Sequence, residues 1–452
     1  MTSLAPPSSR LLRLALPVVG LNVVGVLTLA IDTALAGRLV ASEQALSALA
    51  LATHVVVFAN VVVMGFTVGA AALIARAHGA GDRARLAHVF DEATKLVLAL
   101  GVAVAVAGTL GAERLLEGLG ASGGGARLGA TYVRPMFAFS FVYYLFLLYA
   151  AAMRAVGRTL LPFVVAVVTA VVHVVLAIGW MFGRFGLPPV GLAGAAYATV
   201  ASQLLAVTGV GFVLARGAVP GLEPRLPTPS LDRVVVATLL RVGAPAALDL
   251  ALVNLRFLAL VAILAPHGAA VLAAHGVGIR IQSLAFVPGL AIAQATSALV
   301  GQALGASAVE DARRIVRASV ALATLVMTAL GALLVLAASP LAQAFHLHRG
   351  SEAHLLSVEW IRILGAGMPL VGLQIALVGA LRGAGATGTS LRLNFVGTGL
   401  VLVPVALVFD ALDLGPLYVW SAFPIALAVM AALAFVAYRR GRWATVGVDV
   451  RG

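Results

Sequence analysis

Two carboxylates stand inside stretches that are otherwise apolar: Asp32 in LPVVGLNVVGVLTLAIDTALAGRL and Asp249 in RVGAPAALDLALVN. The other fifteen of the 17 acids fall in loops or at the edges of apolar blocks. A carboxylate in hydrocarbon costs several kcal/mol and by default marks a function. Desolvation disfavours its charged form, so the group is placed to take up and release a proton. For Asp32 that chemistry is exchange of a proton against a cationic ligand. A structural hydrogen bond to Asn22, Thr28 or a neighbouring span is the alternative. Asp249 and Arg280 lie at similar depth when the rise is counted from the membrane faces, so a neutralising ion pair competes with a functional role. Arg256, two turns on from Asp249, has a stem long enough to snorkel outward. His173 adds an imidazole, which titrates near neutrality. It is either a proton partner for Asp32 or a packing residue.

Asn22, Asn60, Gln203, Asn254 and Gln282, with Gln294, Gln374 and Asn394, either line a polar substrate cavity or act as glue between helices. Pro17 and Pro245 sit a turn or two inside apolar blocks, where a missing N–H and a ring clash bend a helix; each is a candidate hinge. No Walker-type GxxxxGK[ST] loop, metal-ligand spacing or nucleophile triad occurs, so the chain does not read as an enzyme or ATPase. The implied cofactor set is empty, with proton or sodium as coupling ion. With no cysteine there are no disulfides or thiolate metal sites.

The elements that hold these groups follow from composition. Of 452 residues, 62% are hydrophobic and 10% charged, with mean hydropathy +1.08, far above a soluble domain. The apolar residues form blocks of about twenty, enough to cross a ~30 Å hydrocarbon core as a helix. Barrel strands of alternating polarity are not seen. The predicted class is an all-α integral membrane protein with twelve spans near 11–36, 45–73, 90–112, 134–153, 162–183, 191–215, 239–264, 270–299, 314–337, 359–381, 391–410 and 416–438. The first block is too long for a cleavable signal and reads as the first span.

The formal charge of +13 comes from arginines in short loops, which argues against nucleic acid as a partner. With the N-terminus inside, 20 basic residues fall on that side and 7 on the other. Positive loops resist translocation, so both termini are expected in the cytoplasm and the chain in a cell (inner) membrane. The bilayer and a small amphipathic molecule are the expected partners, and the chain is expected to act as a monomer.

Two halves repeat. LIARAHG at 73–79 matches LVGQALG at 299–305; Tyr132-Val133-Arg134 matches Trp360-Ile361-Arg362; Met153-Arg154 through Gly157 matches Leu381-Arg382 through Gly385; Pro17 matches Pro245. Offsets of 226 to 228, held over four matches, indicate a duplication. The Pro-rich segment 216–238 divides a first lobe, 1–215, from a second, 239–452. Six spans per half keep one orientation, which makes a parallel pseudo-two-fold repeat.

This order of motifs resembles the multidrug and toxic compound extrusion (MATE) transporters over nearly the whole chain. The first span, with Asp32 fifteen residues after Pro17, is similar to the family's opening helix. So are VGAAALIARAHGAGD and its echo SALVGQALGAS to the loops after the second and eighth spans, GRFGLPPVGLAGAAYAT (183–199) to the fifth-to-sixth junction, and RVGAPAALD (241–249) to the seventh entry. The resemblance implies a V-shaped pair of six-helix lobes, a central cavity, and antiport of amphipathic, often cationic compounds against protons or sodium by alternating access. The DinF-like bacterial branch is the most similar. Family members commonly carry an Asn and, four residues on, an Asp in the fifth span; counting back from Gly191 puts His173 and Ala177 there. Loss of that second carboxylate disfavours a sodium site, since a hard cation wants several oxygen ligands. Coupling to protons follows. A lipid-linked oligosaccharide flippase is the alternative, though only Arg256 and Arg280 offer cationic charge to a pyrophosphate within spans.

Overall fold

The computed structural model describes residues 6–39, 42–121, 123–225, 230–345 and 347–445. These residues are almost entirely helical, as backbone in lipid must be when its polar groups have no water to bond. The spans are α1 (Pro7–Ala36), α2 (Ser42–Gly79), α3 (Arg83–Gly118), the pair α4 (Gly123–Ala138) and α5 (Ser140–Ala155), α6 (Leu160–Phe182), α7 (Leu192–Ala215), α8 (Arg233–Leu264), the pair α9 (Ala269–Ala285) and α10 (Val287–Gly305), and α11 (Val309–Leu336). After the short α12 (Ala338–Gln343) come α13 (Glu352–Gly383), α14 (Thr387–Phe395), a π-helical stretch Val396–Leu402, α15 (Val403–Ala411) and α16 (Pro416–Arg439). Eleven of these stretches are long and apolar enough to cross a membrane, and twelve when α4 and α5 are one span.

The fourth predicted span is therefore not one straight helix. It is two, bent by 54° at Phe139. Pro135 lies one turn before the break, where its ring and missing N–H weaken the ladder. Span ends also reach beyond the predicted limits. At 1.5 Å per residue the 36 residues of α3 extend ~54 Å, and its first turns carry His88, Asp91, Glu92 and Lys95.

Packing divides the chain within helices rather than at the linker: the residues up to Val19 pack with Leu248 onward, and Gly20–Ala247 form the other unit. We call these the C-body and the N-body. The predicted boundary, 216–238, differs because most of that segment is built into the N-body. Leu222 is fully buried, and Lys95 of α3 donates to the Ser230 carbonyl at 3.0 Å. Residues 226–229 of that segment lie outside the described residues. The first half of α8 also stays with the N-body, since a Cβ on Gly65 of α2 would strike the Ala247 backbone.

The N-body core gathers Leu35 and Ala36 of α1, Leu116 of α3, Val133 and Phe137 of α4, and Ala177 and Met181 of α6. In the C-body α13 is central, packing against α9, α10, α11 and α16. The opening turns of α1 join that body through Leu11, Leu14 and Val18 and an Arg10–Asp311 ion pair of 3.1 Å.

Candidate functional site

In the N-body, Asp32 lies one turn before the end of α1 and His173 near the middle of α6. Their side chains meet, with His173 Nε2 2.8 Å from Asp32 Oδ1. Asp32 is 4% exposed and His173 2%. Of the alternative partners, Thr28 donates its hydroxyl back to the Val24 carbonyl at 2.9 Å and Asn22 is half-buried, while the hydrogen bond to a neighbouring span is the one that His173 makes. Ala177, one turn beyond His173, is fully buried beside Leu35 and Ala36, so that position presents a methyl group and no oxygen. Among the described residues no three His, Asp or Glu side chains gather as metal ligands. What the pair can do is hold a proton between a carboxylate and an imidazole away from water, with either group as its seat.

The C-body carboxylate is built differently. Asp249, fully buried in α8, accepts from Arg382 Nη2 at 2.8 Å and from Ser390 Oγ at 2.6 Å. Asn394 Nδ2 donates to its other oxygen. The predicted partner, Arg280, is exposed instead. Similar depth did not bring the two together, because depth fixes position along a helix axis and not the direction in which a side chain leaves it. The Leu-Arg-Gly end of α13 supplies the cation, while Ser390 and Asn394, four apart on α14, share one helical face. Asn394 is thus a ligand of Asp249, which is the glue reading rather than the cavity reading.

The remaining predicted residues do not converge on either acid. Asn254 donates to the Leu250 carbonyl of its own helix at 2.9 Å. Asn60 and Gln203 are half-buried in the N-body. Gln282 is 3% exposed, and its Nε2 has no partner among the described residues. Arg256 does not snorkel: it is 7% exposed, with its guanidinium carbon 5.4 Å from the Phe423 ring centre and 5.1 Å from that of Phe257. Pro17 and Pro245 lie inside continuous helices, two residues before the points where α1 and α8 pass between bodies. Sequence reasoning missed His275, Trp360 and Trp420, a buried aromatic group in the C-body. Trp360 registered only as the repeat partner of Tyr132; a lone His among glycines on α9 was the available signal.

The sequence profile of the MatE family matches residues 17–179 and 245–408, one stretch in each half. A probable multidrug resistance protein NorM of Bradyrhizobium diazoefficiens is 30% identical over 437 residues, covering 95% of this chain and 92% of that one. Its counterpart from Thermotoga maritima is 27% identical over 436 residues, covering 96% and 92%. Among solved structures, the outward-facing conformation of a multidrug resistance MATE transporter of the MOP superfamily superposes with TM-score 0.89 at 24% identity, over 98% and 97% of the two chains. A Vibrio cholerae MATE transporter gives 0.89 at 20% identity, over 96% and 97%. These likenesses place the all-helical architecture; the relatives they name are transporters, not enzymes.

Proposed function

The chain belongs to the MatE family, whose named relatives are multidrug efflux transporters, and on that premise we propose that it is a secondary antiporter expelling amphipathic cations in exchange for protons by alternating access. The observation that carries the coupling is the buried contact of 2.8 Å between His173 and Asp32, with a methyl group at Ala177 where a sodium site would want an oxygen. Protonation of the pair cancels the charge that attracts a cation and so favours release; loss of the proton restores it. Exchange of one proton for one monovalent cation moves no net charge, so the membrane potential cancels and the pH gradient drives efflux at roughly 1.4 kcal/mol per pH unit. The excess of arginine on one side supports insertion in a cell (inner) membrane with both termini cytoplasmic.

The test is transport in proteoliposomes. Ethidium movement is followed under an imposed pH gradient and, separately, an imposed sodium gradient, in the parent and in Asp32→Asn. Efflux driven by the pH gradient alone and lost in the variant is expected. Undiminished efflux by Asp32→Asn rejects the carboxylate mechanism, and a response to sodium alone rejects the choice of ion.

A further inference from the structure

The C-body contains a group of buried polar atoms that the Asp32–His173 reading leaves unused. Arg256 of α8, Gln282 and His275 of α9, and Trp360 of α13 are 7%, 3%, 2% and 1% exposed. Arg256 Nε, Gln282 Nε2, His275 Nε2 and Trp360 Nε1 are each buried without a hydrogen-bond partner among the described residues. An unmet buried donor costs free energy comparable to a lost hydrogen bond, and natural folds leave few. Seven such atoms lie in the C-body among the described residues, and three of them, on Arg256, His275 and Trp360, share one aromatic group.

Ring contacts connect Arg256, Trp360 and His275, and Gln282 follows two turns beyond His275 on the same face of α9. Arg256 lies against Phe423, Phe423 meets Trp360 edge to face at 6.0 Å, and Trp360 lies 5.9 Å from His275 and stacks on Trp420 at 5.5 Å. Gly278 makes the approach possible, since a Cβ there would overlap the Trp360 ring.

The chemistry of the set is one-sided. Trp420 donates its Nε1–H to His275 Nδ1 at 3.2 Å, so in the neutral ring the proton sits on Nε2 and points a donor outward. The free groups of Arg256 and Trp360 are donors in every protonation state they reach, and the Gln282 amide nitrogen is one too. Arg256 has no acidic partner among the described residues, only the ring faces of Phe257 and Phe423. A cation buried in a span without an anion is unfavourable, and what completes such a set is a group that only accepts and carries negative charge.

We propose that Arg256, Gln282, His275 and Trp360 form a binding site for an oxyanion, the carboxylate or phosphate of an amphipathic molecule whose apolar part lies against the neighbouring rings. A fork of guanidinium donors suits planar oxyanions, and the aromatic faces suit the rest. The source is either a transported compound or an anionic lipid headgroup. The site is independent of proton coupling and belongs to the other body.

The test uses the full chain in nanodiscs and reads tryptophan emission, to which Trp360 and Trp420 contribute two of the four tryptophans. The probes are naphthaleneacetate and its neutral amide. Saturable quenching by the acid, with the amide weaker by roughly tenfold or more, is expected. Arg256→Gln should weaken the acid by a similar factor and leave the amide unchanged. Arg349→Gln, which removes an exposed cation outside the group, should bind the acid as the parent does. Where Arg256→Gln fails to fold, Gln282→Leu replaces it, with the same expected order. Discs of phosphatidylglycerol against phosphatidylcholine separate the sources: weaker acid binding in phosphatidylglycerol discs, dependent on Arg256, assigns the site to a lipid headgroup, and equal binding assigns it to a soluble compound. Equal affinity for acid and amide, or acid binding indifferent to both substitutions, overturns the site.

Discussion

Arg382 Nη2 stands 2.8 Å from Asp249 Oδ2, 133 positions away in the chain, and ties the middle of α8 to the last turn of α13. Removing one partner of a buried pair leaves the other charge uncompensated, at a cost of about 3–5 kcal/mol. Asp249→Ala is therefore expected to lower the thermal midpoint in detergent sharply. The double variant with Arg382→Ala should recover part of the loss, because no lone charge remains. A double-mutant cycle measures the coupling. Full stability of Asp249→Ala together with lost transport would instead make Asp249 a functional acid.

The Asp32–His173 pair gives a prediction about pH. If both hold the coupled proton, Asp32→Asn takes pH-driven efflux to the level of empty liposomes, whereas His173→Asn keeps some efflux but changes its dependence on pH. Asn still donates to the carboxylate and cannot titrate. Initial rates across external pH 5.5 to 8.5 are the measurement. Superimposable normalised profiles for His173→Asn and parent would leave His173 a packing residue.

The spans, the duplication and the Asp32–His173 neighbourhood were legible in the sequence because block length, offset and motif order are one-dimensional signals. Partners that depend on helix rotation were not. Arg280 and Asp249 share a depth, yet Arg280 faces outward, and Arg382, which reads as a loop residue beside Gly383, turns back onto Asp249. The division into bodies was hidden for a related reason. Segment 216–238 looks like a linker by composition, but α3 holds its far end, and α8 itself makes the passage between bodies.

That hold on the linker can be tested. Lys95 Nζ reaches Asp91 at 2.8 Å, Glu92 at 2.7 Å and the Ser230 carbonyl at 3.0 Å, while the other Glu92 oxygen accepts from the Asp232 N–H at 3.0 Å. Glu92 is 2% exposed, so Glu92→Ala leaves Lys95 one acid short and strands a backbone donor. A loss of about 1–3 kcal/mol follows. Limited proteolysis should then cut within 216–238 faster than in the parent, and an unchanged rate would deny the tether.

Asp232 adds a pH signature to the same junction. Its carboxyl is held below the ordinary 3.8 chiefly by the His88 side chain, and further by the Val235 and Val234 N–H groups that it caps at the start of α8. A depressed folded-state value means that the contribution is present above the unfolded pKa and is lost as pH falls through the folded one. Asp232→Asn should therefore melt below the parent at pH 7, with the gap closing below about pH 3.8. A gap independent of pH would assign the effect to shape rather than charge.

Both points where the chain changes bodies follow a proline by two residues: Val19 after Pro17 and Ala247 after Pro245. The two prolines are repeat mates, and each deprives the carbonyl four residues earlier, of Arg13 or Arg241, of its helical N–H. A helix that must connect two bodies is weakest where one rung of its ladder is missing. Pro17→Ala and Pro245→Ala each restore that rung, and alanine is favoured over proline by up to ~3 kcal/mol in a helix interior. The variants are expected to melt at or above the parent temperature while transporting more slowly, the double variant slowest, because stiffness gained at the crossing opposes rearrangement. Proteoliposome rates beside detergent melts separate the two effects. Parental rates in the double variant would reduce the prolines to static kinks, and lower melting temperatures would mean that the bend is required for packing.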